Sequence, residues 1–173
     1  AWIRTASTKS TTNYAGNPAL TVIGDHEGSV TNGFGIHNGV VRYAQYSGSW
    51  VQHDGITNVN DGNWHHIAVT HNQSTGDIVG YVDGVVDFNA NQTYSTNHSY
   101  DRIGGGYLGA VGTGELFQRD MDEVRIWNRP LTATEIQTNI FSSLTTGTGL
   151  VSSYSFNQSS YTLLDQTATA NNG

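Results

Sequence analysis

Six aromatic residues stand in or beside segments that read as polar loops, where they could contact a ligand. Sugar rings stack on aromatic rings, while the side chains of Asn, Gln and Asp bind the sugar hydroxyl groups. The candidate ligand-binding residues are Tyr43, Tyr46, Trp50, Tyr94, Tyr100 and Tyr107. Tyrosine also covers the faces of sheets, so a purely structural role for part of this set stays open. The other tryptophans, Trp2, Trp64 and Trp127, are expected in the core.

The segment Trp64-His65-His66 contains two adjacent imidazoles, which suggests a metal or catalytic site. The same segment reads as a strand, and adjacent residues of a strand point to opposite faces of the sheet. His65 and His66 therefore cannot easily share one metal ion. We expect this segment to be structural and assign no catalytic residue to it.

The overall composition restricts the partners of the chain. Seven Lys and Arg residues stand against 14 Asp and Glu, a net charge of −7, which argues against a nucleic-acid groove or an anionic membrane surface. Cysteine is absent, and no apolar run approaches the ~20 residues of a membrane span. A low-lysine sequence rich in hydroxyl and amide side chains is a habit of extracellular bacterial proteins. We therefore expect an extracellular or cell-surface location, with neither nucleic-acid binding nor membrane insertion.

Alternating apolar and polar residues predict that strands position the candidate residues. The predicted strands cover residues 1–6, 19–23, 33–37, 40–46, 64–70, 78–82, 85–88, 101–106, 121–127 and 150–156. Asn38-Gly39, Asp54-Gly55 and Asp83-Gly84 read as turns. A capping box from Thr132 to Glu135 starts one short helix near residues 132–141. The pattern predicts an all-β fold, a two-sheet antiparallel jelly-roll sandwich.

Three segments in combination resemble the laminin-G-like jelly-roll domains of the concanavalin-A-like lectin and glucanase superfamily. They read DGNWHHIAVT at residues 61–70, YVDG at residues 81–84, and MDEVRIWNRPLTATEI at residues 121–136. Each segment alone is a weak signal, but the ordered series is specific. The resemblance covers approximately residues 1–141 and implies a jelly-roll fold.

The order in which the strands follow one another along this chain is shifted relative to the usual domain of this family. Members usually begin about two strands ahead of Ala1-Trp2-Ile3, and residues 149–173 are similar to the segment that commonly opens another such domain. We expect residues 1–144 to form a jelly-roll body without its usual opening strand, and residues 145–149 to form a linker. Residues 150–173 then supply a strand and polar tail that complete this sandwich or begin the next repeat. Two explanations stay open. The chain is one repeat of a tandem array that is cut out of phase, or it is a circular permutation of the domain.

The resemblance also implies a calcium site, since relatives often hold Ca²⁺ with Asp, Asn and carbonyl oxygens at one edge of the sandwich. Asp122 matches the family's acidic residue before Glu-Val-Arg-Ile. The candidate ligands are Asp122, Asp120, Asp25, Glu27 and Asp101. The alternative is that Asp122 anchors a turn or pairs with Arg125 or Arg102.

The same resemblance raises the question of glycoside hydrolysis. Hydrolases of the superfamily typically carry a Glu-x-Asp-x-x-Glu motif, whose paired carboxylates act as acid and nucleophile. Here Gln118 stands at the leading position and Glu123 comes too early. We therefore expect no enzyme activity from this string.

Two functions of different classes compete for this chain. The loop aromatics favour a non-catalytic extracellular module that binds a glycan or a cell-surface protein, with or without Ca²⁺, within a larger adhesin or secreted repeat protein. The offset frame and the Thr/Gly linker favour a structural repeat of a stalk or filament, in which neighbouring copies exchange strands. Glycoside hydrolysis is a distant third.

Overall fold

The computed structural model describes residues 1–10, 18–24, 32–46, 48–93, 100, 102–105, 116–157, 163–168 and 170–171. These residues form strands and one short helix. The strands are β1 (Trp2–Arg4), β2 (Leu20–Gly24), β3 (Asn32–His37), β4 (Val40–Tyr46), β5 (Trp50–Asn58), β6 (Trp64–His71), β7 (Asp77–Val82), β8 (Val85–Asn91), β9 (Arg102–Ile103), β10 (Asp120–Asp122), β11 (Val124–Trp127) and β12 (Leu150–Tyr154). The helix α1 covers Ala133–Asn139, and no described helix is long and apolar enough to span a bilayer.

Two five-stranded antiparallel sheets form the body, and the predicted jelly-roll sandwich is confirmed. The first sheet has the order β10-β1-β6-β7-β8, and the second sheet has the order β5-β4-β3-β2-β9. Strands β11 and β12 pair separately. The core between the sheets contains Ile3, Leu20, Val22, Phe34, Ile36, Val41, Tyr43, Val59, Ile67, Ile78 and Val82.

Two of the three predicted turns connect hairpins. Asn38 and Gly39 have φ values of 51° and 85° and join β3 to β4, while Asp83 and Gly84 have φ values of 51° and 78° and join β7 to β8. Positive φ at both central residues is the requirement of a type I′ turn, which Asn-Gly and Asp-Gly satisfy at little steric cost.

The prediction of a turn at Asp54-Gly55 is wrong, because both residues lie inside β5. Asp54 is opposite Arg42 in the β4–β5 ladder, and its carboxylate accepts two hydrogen bonds from that guanidinium, at 2.6 and 2.7 Å. Residue 55 is a glycine because of a close contact and not because the chain reverses there. A Cβ at this position would lie 1.7 Å from Asp87 Oδ2.

The single strand predicted over residues 121–127 is divided in two. Glu123 has φ 49°, which breaks the extended backbone between β10 and β11. The Asp122 carboxylate stabilises the break by accepting a 2.8 Å hydrogen bond from the Glu123 N–H. The break sends β10 to the edge of the first sheet and β11 to its separate pairing with β12.

The predicted capping box is confirmed at the start of α1. Thr132 accepts from the Glu135 N–H at 3.2 Å, and the Glu135 carboxylate accepts from the Thr132 N–H at 2.8 Å. Arg129 also donates to this carboxylate at 2.6 Å. The hydrogen bond from Arg129 is the largest contribution, followed by those from Thr132, and together they lower the pKa of Glu135 to about 2.

Strand β12 is covered on both of its edges within this chain. One edge pairs with β11. On the other edge, the Ser153 N–H donates to Asp165 at 2.9 Å, and the Gln166 N–H donates to the Ser153 carbonyl at 2.8 Å. The described part of the tail therefore packs beside β12, and Asp165 itself is buried.

Candidate functional site

Four of the six predicted ligand-binding aromatics lie in the described residues, and all four are near the β4–β5 hairpin end of the sandwich. Tyr43 and Tyr100 bring their hydroxyl oxygens to 3.4 Å from each other, and Tyr46 and Trp50 face each other across the hairpin. Tyr94 and Tyr107 lie outside the residues that the structure describes.

We call Tyr43, Gln45, His71 and Tyr100 the polar cluster. The Gln45 amide nitrogen donates to the Tyr43 hydroxyl at 3.0 Å, and this hydroxyl lies 3.4 Å from His71 Nδ1. Tyr43 and Gln45 are both 1% exposed, whereas His71 and Tyr100 are half-buried. The buried side chains of Tyr43 and Gln45 therefore lie beneath the more accessible side chains of His71 and Tyr100 and position them. Tyr43 lies within β4 and not at a loop, so its ring is not available as a stacking surface.

The protonation state of His71 follows from its neighbours. Its Nε2 lies 3.3 Å from the Gln92 carbonyl oxygen, which can only accept, so Nε2 carries the proton. The Nδ1 atom is then an acceptor for the Tyr43 hydroxyl. Burial lowers the pKa of His71, which keeps the ring neutral near pH 7. The polar cluster is thus a hydrogen-bonded network without a net charge.

His53 extends the polar cluster onto the neighbouring strand. It stands opposite Tyr43 in the β4–β5 ladder, so the two side chains share one face of the sheet. Burial is the main cause that lowers the pKa of His53. Its Nε2 and the Gln45 Oε1 are buried without a hydrogen-bond partner in the described part of the chain. Such groups are usually satisfied by water or a bound molecule.

Tyr46 and Trp50 form an aromatic pair at the tip of the hairpin. Their ring centroids are 5.2 Å apart with an interplanar angle of 49°, and both side chains are half-buried. They are cross-strand partners that close the β4–β5 ladder. Because Tyr46 follows Gln45 directly, their side chains point to opposite faces of the second sheet, so the aromatic pair lies on the outer face while Tyr43 and Gln45 point into the sandwich.

The expectation that Trp64 lies in the core is wrong. Trp64 is 41% exposed, and the Arg4 guanidinium lies 5.2 Å from its ring centroid. Arg4 also pairs with Asp120 at 2.7 Å. Trp64 and His71 are the two ends of β6, so at about 3.3 Å per residue Trp64 lies roughly 23 Å from the polar cluster.

The predicted calcium ligands Asp120 and Asp122 both have other partners within the chain. Asp120 pairs with Arg4, and Asp122 anchors the break at Glu123. Burial is the main cause that raises the pKa of Asp122. The described residues contain no group of three or more His, Asp or Glu able to hold a metal. Asp25, Glu27 and Asp101 lie outside the described residues.

The two adjacent histidines have separate structural roles. His66 is buried, with its ring 5.6 Å from Trp2, and burial is the largest of the causes that lower its pKa to about 2. His65 lies between two carboxylates, with Nδ1 2.8 Å from Asp83 and Nε2 3.2 Å from Asp61. Asp83 also accepts from the His66 N–H at 2.8 Å, so this motif ties β6 to the β7–β8 turn.

Gln45, His53 and His71 are site residues that the sequence analysis missed. Each lies in a strand where only its partner strand identifies the neighbours of its side chain. The alternation of β4 places Tyr43 and Gln45 on one face, which was the available signal. The contact with His71, by contrast, depends on how the two sheets pack.

Comparison with known proteins identifies the family of this chain and structures with a similar fold. Residues 1–137 match the Laminin_G_3 family model, described as concanavalin A-like lectin/glucanases superfamily. The chain is similar to a crystal structure of a candidate carbohydrate binding protein from Bacteroides ovatus ATCC 8483, with a TM-score of 0.71 and 19% identity. That alignment covers 99% of this chain but only 49% of the Bacteroides protein. At this identity the likeness shows a shared fold.

A second similar structure is that of domains LG4-5 of the mouse laminin alpha1 chain. Its TM-score is 0.48 at 15% identity, and the alignment covers 64% of this chain and 28% of the laminin fragment. No curated protein matches the sequence. Because the family model spans more than half of the 173 residues, the chain belongs to the Laminin_G_3 family of the concanavalin A-like lectin/glucanases superfamily.

Proposed function

We propose that this chain is a non-catalytic recognition module that binds a glycan at the β4–β5 hairpin end of the sandwich. The observation that supports this proposal is the half-buried aromatic pair on the outer face of the hairpin tip. The neutral polar cluster lies at the same end of the sandwich, on the inner side of β4. Aromatic rings pack against the apolar ring faces of a sugar, and uncharged polar groups at the same end of the domain suit its hydroxyl edges. We further propose an extracellular or cell-surface location within a larger adhesin or secreted repeat protein.

A non-catalytic role is supported by how the candidate carboxylates are used. The superfamily includes both lectins and glucanases by name, so hydrolysis must be weighed against binding. Asp120 pairs with Arg4, and Glu123 pairs with Arg125 at 2.6 Å. Asp122 is bound to the backbone at the break of the strand. Each carboxylate of the candidate string thus has a contact that stabilises the fold.

Glycan binding is tested with a glycan array followed by calorimetry on the best hit. We expect Trp50→Ala to weaken binding about tenfold or more, which corresponds to a loss of about 1.4 kcal/mol. Trp64→Ala is the matched control, since it removes a partly exposed tryptophan at the opposite end of the sandwich. Equal loss in both variants, or in neither, would contradict the proposed location.

Calcium dependence is a separate proposal with its own arm of the experiment. It derives from the acidic residues Asp25, Glu27 and Asp101, since Asp120 and Asp122 are engaged elsewhere. Binding is repeated after EDTA treatment and after addition of CaCl₂. Affinity that is unchanged by EDTA would remove calcium from the proposal and leave glycan recognition intact.

A structural repeat assembled by strand exchange is the second candidate function. Its support is the pairing of β12 with β11 outside the two main sheets, an arrangement that a neighbouring copy could reproduce. Light scattering separates the two functions. A monomer that binds a glycan supports recognition, whereas concentration-dependent assembly without any ligand supports the structural role.

A further inference from the structure

We infer that the glycan recognised at the hairpin end is uncharged, so that sulfated or uronic-acid-rich chains are poor ligands. This inference rests on the proposed function and concerns the class of sugar. It is carried by the positions and partners of the cations of the chain, together with the hydrogen-bonding groups of the site.

The chain has few cations, and most of them are neutralised. Every one of its seven Lys and Arg residues lies in the described part of the structure. Four of the arginines make ion pairs with carboxylates: Arg4 with Asp120, Arg42 with Asp54, Arg125 with Glu123, and Arg129 with Glu135. Recognition of a sulfate or carboxylate commonly uses arginine or lysine donors, and these four donors are already committed.

Of the three other cations, two lie away from the hairpin end and one, Arg102, lies near it. The Lys9 carbonyl accepts from the Asn38 N–H, which places the Lys9 backbone at the β3–β4 turn, the opposite end of the second sheet. Arg119 directly precedes β10, whose first residue pairs with Arg4 at the Trp64 end. Arg102 starts β9 near the polar cluster, and a single arginine there does not form a basic cluster.

The site itself is neutral or acidic. Tyr43, Gln45, Tyr46, Trp50 and Tyr100 carry no charge near pH 7. His71 donates from Nε2 to the Gln92 carbonyl and accepts at Nδ1, an arrangement that uses the neutral ring.

The residues that the structure does not describe contain no Lys or Arg. Their charged residues are Asp25, Glu27, Asp101 and Glu115. With a net charge of −7, the chain disfavours an incoming anion.

A matched pair of oligosaccharides with the same backbone, one neutral and one sulfated, tests the inference. We expect the neutral member to bind about tenfold or more tightly, which corresponds to about 1.4 kcal/mol. We also expect its affinity to change little between low and high salt, because no ion pair is formed. Tighter binding of the sulfated member, weakened by salt, would overturn the inference while leaving glycan recognition in place. Binding of neither member overturns both the inference and the proposed function.

A gain-of-charge variant makes the test independent of a loss of folding. Gln52 is exposed on β5, two residues from Trp50 and on the same face of the strand. We expect Gln52→Lys to raise the affinity for the sulfated member roughly threefold, the size of a weak exposed ion pair, without changing the affinity for the neutral member. Thr134→Lys adds the same charge on the helix and is the control. An equal gain in both variants would mean that the charge does not act at the hairpin end.

Discussion

The Asp87 carboxylate occupies the space that a side chain at Gly55 would need. A Cβ at residue 55 would lie 1.7 Å from Asp87 Oδ2. The other carboxylate oxygen accepts from the N–H groups of Ile56 at 3.3 Å and Thr57 at 3.0 Å. One side chain therefore joins β8, at the edge of the first sheet, to β5, at the edge of the second.

Gly55→Ala is expected to destabilise the domain by about 1–3 kcal/mol, because the new methyl group must displace a buried carboxylate. Urea unfolding followed by tryptophan fluorescence measures the loss. Ile56→Ala is the control, since Ile56 is 85% exposed in the same strand and should change stability by less than about 0.5 kcal/mol. If both variants unfold at the same urea concentration as the parent, Asp87 does not join the sheets in this way.

The same contact explains where sequence reasoning succeeded and where it could not. Asn38-Gly39, Asp83-Gly84 and Asp54-Gly55 have similar turn chemistry, yet only the first two are turns. The extended conformation at Asp54-Gly55 depends on Asp87, which is more than 30 residues away in the sequence. No local sequence pattern reveals that partner. Likewise the alternation over residues 121–127 is genuine, but the positive φ of Glu123, which the Asp122 carboxylate stabilises, breaks the strand.

The candidate site was predictable in part for the same reason. Loop-like chemistry identified Tyr46 and Trp50, which close the hairpin as a pair. Tyr43 was identified by residue type, but its burial and its contact with His71 follow from the packing of two sheets. The WHH, VDG and DEVRIWNR motifs indicate the family, and the family model over residues 1–137 confirms it.

Arg125→Lys is expected to cost about 1–3 kcal/mol. Its guanidinium donates to the Asn139 carbonyl at 2.8 Å, to the Ser142 carbonyl and to Glu123, and so ties the end of α1 to β11. Lysine keeps the charge but cannot reach several acceptors in one plane, so some of these partly buried hydrogen bonds are lost. Thermal and urea unfolding measure the effect.

Arg4→Lys is the matched control for that substitution. The Arg4 side chain is 47% exposed and its ion pair with Asp120 is solvated, whereas the Arg125 side chain is 8% exposed. Exposed ion pairs contribute about 0–1 kcal/mol. Equal destabilisation by the two substitutions would show that burial of the Arg125 contacts does not matter.

Because His66 is buried, we expect the domain to lose stability in mild acid. Burial is the largest of the causes that lower its pKa to about 2, while an unfolded histidine has a pKa near 6.5. The unfolded state then binds the proton and the folded state does not, so this contribution is present above pH 6.5 and falls as the pH decreases. Between pH 7 and pH 5 the loss from one such group is about 2 kcal/mol.

His65 provides an internal contrast in the same experiment. Burial lowers its pKa, but the hydrogen bonds to Asp83 and Asp61 outweigh burial and raise the pKa overall. Its contribution is fully present below pH 6.5 and is lost as the pH rises through the folded pKa. In an NMR titration His65 should titrate above its usual range, and His66 should remain neutral at pH 5. Protonation of His66 at pH 5 in the folded protein would sink this prediction.

Asp165→Asn is expected to release the described tail from β12. Burial alone raises the pKa of Asp165, but hydrogen bonds from the N–H groups of Ser153, Thr167 and Asn171, at 2.9 to 3.0 Å, hold the pKa well below its usual range. Asparagine has one acceptor oxygen and no charge, so we expect a loss of about 1–3 kcal/mol at pH 7. Faster proteolytic cleavage in residues 163–171 should accompany it.

The pH dependence of that loss separates charge from simple packing. Because the folded pKa of Asp165 is depressed, its contribution is present above the unfolded pKa of about 3.9 and is lost as the pH falls through the folded value. The difference between Asp165→Asn and the parent should therefore shrink as the pH falls below about 4. Asp77→Asn is the control, since Asp77 is exposed and its carboxylate contacts the side chains of Thr75 and Asn91. If Asp165→Asn leaves both the urea midpoint and the protease resistance unchanged, the tail does not hold β12 in place. The unpaired edge of that strand would then be available to a neighbouring copy, as the structural-repeat function requires.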